Sequence, residues 1–128
     1  MKNNDTQSHK HTAVEFLRLV VAGQFDEAYQ MYADMNGKHH NPFFPAGFSS
    51  LKKAMAENHI QFPNKQFIPI NIIADGDFVA VHSHLVLKQG DQEMAVVHIF
   101  RFQGNKIVEM WDCGQAIPSD SPNKDGAF

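Results

Sequence analysis

HIFRFQGNKIVEMWDCG, residues 98–114, decides the fold. Apolar residues recur with a period of two, break at Gly104-Asn105 and resume at Ile107, and a Gly-Asn pair between such runs is a hairpin signal. The period holds upstream. Strands are expected at 78–88, 93–103 and 106–116, with the DGD triplet at 75–77 as a tight turn. KQFIPINIIA, residues 65–74, reads as a further strand, and its Pro69 marks an edge or a bulge.

The first half of the chain has helical spacing instead. Thr12 and Glu15 form a capping-box pattern, and Ala13, Phe16, Leu17, Val20 and Val21 make one apolar face that stops at Gly23. A short second helix starts near Asp26, with Phe25, Ala28, Tyr29 and Tyr32 on one side. NGKHHNPFFPAG, residues 36–47, reads as a loop. Ser49 or Ser50 caps a third helix that runs to about His59, and Pro63 ends it. Helices followed by a meander predict an α+β fold, with three helices packed on one face of a curved antiparallel sheet. Residues 1–9 are expected to be flexible and residues 10–128 to form a single domain.

Composition narrows the function. With 128 residues the chain can bury roughly two thirds of its unfolded surface, enough for one core and one pocket. The net charge of −3 and the scattered basic residues argue against a nucleic-acid partner. The polar start and the lack of a long apolar run predict neither a secretory signal nor a membrane span. A single cysteine, Cys113, excludes an internal disulfide or a thiolate zinc cluster and fits the cytoplasm. Eight histidines are the unusual feature. His9, His11 and His59 are expected in solvent.

Two turns set the expected registers. A two-residue turn at Gly104-Asn105 pairs Val97 with Asp112, Ile99 with Met110 and His98 with Trp111. A turn centred on Gly90-Asp91 pairs His84 with Val97 and His82 with Ile99. His82, His84, Met110 and Asp112 then share one face, while His98, Phe100, Phe102, Ile107 and Trp111 share the other. A slip of one residue would invert a strand. A carboxylate inside an apolar strand is costly, and burial would raise its pKa towards the range useful for proton transfer.

IFRFQGNKIVEMWDCGQAIP, HHNP followed by a glycine, DGDFVAVHSH and the tail PNKDGAF together resemble SnoaL-like polyketide-cyclase proteins of the nuclear transport factor 2-like superfamily. The resemblance spans about residues 12–128 and implies a cone, with helices closing over a bent sheet and a deep pocket in its concave face. It also implies a homodimer through the outer sheet face, to which Phe100, Phe102 and Trp111 are assigned. Asp112 matches the family's pocket acid/base, and His40 and His82 match pocket positions. Met110 stands where the family usually has a histidine before Trp-Asp, and His84 is the residue that would replace it.

The leading expectation is a metal-free lyase, isomerase or cyclase without cofactor, acting by aldol or enolisation chemistry on a small apolar carbonyl compound. Asp112 would move the proton, His82 or His84 would stabilise the enolate, and His40 would orient the substrate. Phe16, Phe43, Val97, Ile99 and Met110 would line the pocket. One alternative is a metal enzyme, since H-x-H plus a carboxylate is the composition of a two-His-one-carboxylate iron site. The other is a ligand-binding or dimerisation module with a non-catalytic pocket, favoured by Met110.

Overall fold

The computed structural model describes residues 2–128, with side chains from Asp5 onward; Met1, the first residue of the segment expected to be flexible, lies outside the described residues. The elements run α1 (Lys2–Val21), α2 (Phe25–Tyr32), β1 (Ala33–His39), α3 (Phe48–Gln61), β2 (Gln66–Asp75), β3 (Phe78–Lys88), β4 (Gln92–Gln103) and β5 (Lys106–Ala116). Five strands form one curved sheet in the order β1-β5-β4-β3-β2, and the fold is α+β as expected. Among the described residues no helix is long and apolar enough to cross a membrane.

α1 starts well before Thr12, which lies inside the helix and is buried, so Thr12 and Glu15 do not cap it. The buried stripe is longer than the apolar residues alone suggest. His9, Thr12, Ala13, Phe16, Leu17 and Val20 are all buried at helical spacing. The His9 ring stacks on Phe102 at 4.3 Å, and its Nε2–H donates to the Gly104 carbonyl at 2.9 Å. A histidine expected in solvent therefore ties the start of α1 to the β4–β5 turn. His59 is not solvated either: its ring meets Phe25 edge-on at 5.7 Å.

The expected loop at 36–47 begins with strand instead. β1 runs parallel to β5, pairing Ala33 with Ile107 and His39 with Met110. Gly37 looked like a breaker, but its backbone lies against the Phe48 ring and the Val108 carbonyl, where a Cβ would overlap both. α3 is preceded by Gly47 at φ +93° rather than capped by a serine side chain. The core forms between the helices and the concave face of the sheet. Phe16 meets Tyr29 and Phe100 edge-on at 5.1 and 5.9 Å, and Tyr29 meets Phe48 at 5.9 Å.

The registers depart from expectation in two different ways. Between β3 and β4, His82 pairs with Val97 and His84 with Ala95. This is two positions from the expected register, so which residues share a face is unchanged. Between β4 and β5, Phe102 pairs with Ile107 as the Gly104-Asn105 turn requires, but Arg101 pairs with Glu109. Val108 is thus the extra residue of a β-bulge. Beyond it His98 faces Asp112, Ile99 faces Trp111 and Phe100 faces Met110. One inserted residue moves Asp112 and Met110 onto the face of His98 and sends Trp111 to the face of His82 and His84.

Candidate active site

The helices cover the face that carries Val79, Val81, Phe100 and Phe102, all essentially without solvent exposure. His82, His84, Val97 and Ile99 pair on the opposite, outer face. Their expected place in a pocket with Asp112 is corrected by the bulge. The same correction puts Phe100 and Phe102 in the core rather than on the outer face, and leaves Trp111 outside.

A cavity of about 200 Å³ lies between α1, α3 and the sheet. Leu17, Val20 and Val21 from α1 and Leu51, Ala54 and Met55 from α3 form its apolar walls. Phe67, Ser83, Leu85, His98 and Asp112 come from β2, β3, β4 and β5, with Asn41 and Phe44 from the loop after β1. Of the site residues expected from the sequence, Asp112 alone lines this cavity. Phe16 and Met110 are core residues beside it, and Phe43 is 86% exposed where its neighbour Phe44 faces the cavity. His40 lies outside, stacked on Trp111 at 5.0 Å with Nε2 2.6 Å from Glu109 Oε2. Glu109 also accepts from Arg101 Nε at 2.9 Å, and these two partners hold its carboxyl below the usual range.

Asp112 is held by the loop after β1. The Asn41 amide NH2 meets both carboxylate oxygens, at 3.2 and 3.1 Å. Its orientation is set from the other side, because Asn41 Oδ1 accepts the Phe43 N–H at 3.0 Å. His39, buried at the end of β1, shapes the same loop. Its Nδ1 accepts the Asn41 N–H at 3.1 Å and its Nε2–H donates to the Pro45 carbonyl at 2.7 Å. The sequence marked this segment for its histidines. The asparagine between them and Pro42 is the residue that reaches the acid.

His98 stands opposite Asp112 across the β4–β5 ladder, where Cβ atoms are about 4.5–5.5 Å apart. Its Nδ1 is buried without a hydrogen-bond partner among the described residues. Burial pushes the His98 pKa below its ordinary value of 6.5, and the Asp112 charge offsets part of that shift. The ring is therefore neutral at pH 7. Because the folded state resists a proton that the unfolded chain accepts, stability is complete above pH 6.5 and declines as pH falls through the lowered folded value. Melting temperature measured from pH 8 down to pH 5 should fall more steeply for the native chain than for a His98→Gln variant. That window lies above 4.5, the ordinary value below which Glu109 contributes its own loss. Equal slopes would contradict a buried neutral His98.

The sequence profile of the SnoaL-like domain matches residues 13–110, and the chain belongs to the SnoaL-like domain family. The matched span stops just short of Asp112, so membership rests on the helices, the sheet and the start of the last strand. No curated protein matches the chain in sequence. Solved structures share the fold. A Bacillus cereus protein provisionally assigned as a polyketide cyclase superposes with a TM-score of 0.77 at 19% identity, over 90% of this chain and 79% of its own. A Kribbella flavida protein provisionally assigned as a ketosteroid isomerase gives 0.70 at 17% identity, over 94% and 87%. An NTF-2-like protein of unknown function from Burkholderia xenovorans gives 0.72 at 15% identity, over 93% and 91%.

Proposed function

We propose that the protein is an acid/base enzyme, of lyase, isomerase or cyclase type, acting on a small, largely apolar carbonyl compound. One observation carries this: a carboxylate oriented by Asn41 and a neutral imidazole face each other at the floor of a largely apolar cavity. Asp112 takes a proton from the carbon beside the substrate carbonyl. The C–H electron pair becomes a new C=C bond, the carbonyl π pair moves onto oxygen, and neutral His98 donates a hydrogen bond to the enolate oxygen. Asp112 then returns the proton to another carbon of the enolate, as an isomerase requires, or the enolate carbon attacks a second carbonyl whose oxygen takes that proton, as an aldol cyclase requires. Solved relatives provisionally assigned as cyclase and isomerase agree with either outcome.

The test is α-proton exchange in deuterated water, followed by NMR for acetophenone, cyclohexanone and phenylpyruvate. Exchange above the buffer rate that depends on Asp112 supports the proposal. Binding of these probes without exchange supports a non-catalytic binding module instead. The small cavity favours that second reading, since about 200 Å³ lies below the common range of ligand pockets, about 300–1,000 Å³. The two-His-one-carboxylate alternative loses its ligand set, because His82 and His84 lie on the opposite face of the sheet from Asp112.

The outer face invites a partner, and we propose a second copy of this chain. Trp111 lies beside Phe78, which is 44% exposed, and on the same face Ile68 is 42% and Ile73 65% exposed. An apolar sheet face of this kind is an expected two-fold contact. Sedimentation velocity should find a dimer that Ile73→Asp together with Phe78→Asp converts to monomer. A native monomer at micromolar concentration would refute it.

A further inference from the structure

One charged residue of the cavity has no part in the proton transfer. Lys65, just before β2, lines the cavity with Asn58 from the last turns of α3. Its ammonium donates to Asn58 Oδ1 at 2.6 Å. Among the described residues no carboxylate lies within ion-pair distance of it, whereas Lys52, Lys88, Arg18 and Arg101 each pair with an acid. Lys65 is half-buried, and desolvation lowers its pKa. A cation drawn from water into an apolar wall without a counterion is costly unless a ligand supplies one. The C-terminal end of α3, whose partial charge is negative, offsets only part of that cost.

Position matters as much as charge. Asp112 sits on β5 and Lys65 at β2, with β4 and β3 between them in the sheet. The cavity floor therefore runs from an anionic side to a cationic side. A ligand anion is repelled at the Asp112 side and attracted at the Lys65 side, so it enters in one orientation.

We propose that Lys65 and Asn58 form a carboxylate-binding subsite, and that the ligand of this cavity is a small monocarboxylate whose apolar body spans the space between that subsite and Asp112. The Lys65 ammonium keeps two N–H donors beyond the one given to Asn58 Oδ1, and the Asn58 amide NH2 adds another. A single lysine suits a monoanion better than a phosphate, which usually takes several donors. The subsite rests on this cavity being the ligand site, but it does not depend on Asp112 performing chemistry.

Calorimetric titration of the full chain with 3-phenylpropionate and with 3-phenylpropionamide separates the two. The native protein should bind the acid roughly tenfold or more tightly than the amide, the strength of a charge-assisted hydrogen bond. Lys65→Met should abolish that preference, and Lys65→Arg should keep most of it. Lys65→Gln replaces the methionine variant if that chain fails to fold. Asp112→Asn should bind the acid at least as well as the native chain, even with exchange activity gone. A lysine that only stabilises the end of α3 would change the melting temperature but not the acid/amide ratio. Equal binding of acid and amide, a preference that survives in Lys65→Met, or no acid binding at millimolar concentration would each overturn the proposal.

Discussion

Asp112→Asn should lower the rate of α-proton exchange by about 10²–10⁴-fold, the usual contribution of a positioned general base. The substitution keeps the side chain's shape and removes its ability to take a proton. It also sets an amide NH2 beside the NH2 of Asn41, which now donates to both carboxylate oxygens. The variant should nonetheless fold, because it deletes a charge from an apolar cavity rather than creating one. A second consequence separates this from simple damage. The Asp112 charge is what raises the His98 pKa against desolvation. Without it the folded His98 resists protonation further, so stability in the variant should keep falling to a lower pH than in the native chain. Full exchange activity in Asp112→Asn would remove Asp112 from the chemistry.

Phe100→Ala should cost about 3–5 kcal/mol, while Ile99→Ala, one residue away, should cost under about 1.5 kcal/mol. Phe100 has no solvent exposure and packs edge-on against Phe16 at 5.9 Å. Ile99 faces outward beside Trp111. A loss of that size is a large part of the stability of an ordinary domain and should lower the melting temperature by about 10–20 °C. Urea denaturation of both variants measures the contrast. The pair also tests the bulge at Val108. In the unbulged register read from the turn, Phe100 shares its face with Trp111, and its loss would weaken an interface between copies rather than a core. Similar costs at both positions would contradict the faces assigned to β4.

Much of the architecture could be read locally. The apolar stripe of α1 and the turn glycines depend on residues near one another in sequence, and those elements lie where the spacing puts them. Three features escaped such a reading. The start of α1 is polar, and it is helical because His9 finds Phe102 and Gly104, partners on distant strands. β1 pairs in parallel with β5 at the far end of the chain, and Gly37 is there for the Phe48 ring rather than for a turn. Lys65 looks like an ordinary lysine at the start of a strand until α3 and the sheet close around it.

The candidate site divides the same way. By itself the sequence determined that the chain is an α+β domain of the SnoaL-like type and that Asp112 is its notable carboxylate. It also drew attention to the HHNP segment, although its first residue, His39, closes β1 and does not open a loop. Only the tertiary structure decided which residues share the cavity with that carboxylate. The physical reason is parity. Side chains in a strand alternate between faces, so a single extra residue, Val108, exchanges the two faces of everything beyond it. A bulge of one residue leaves no mark in composition or spacing. It is settled by which side chains of β5 pack beneath the helices with Phe100 and Phe102. Met110 takes that burial, Trp111 is left outside, and Asp112 comes to lie inside beside His98.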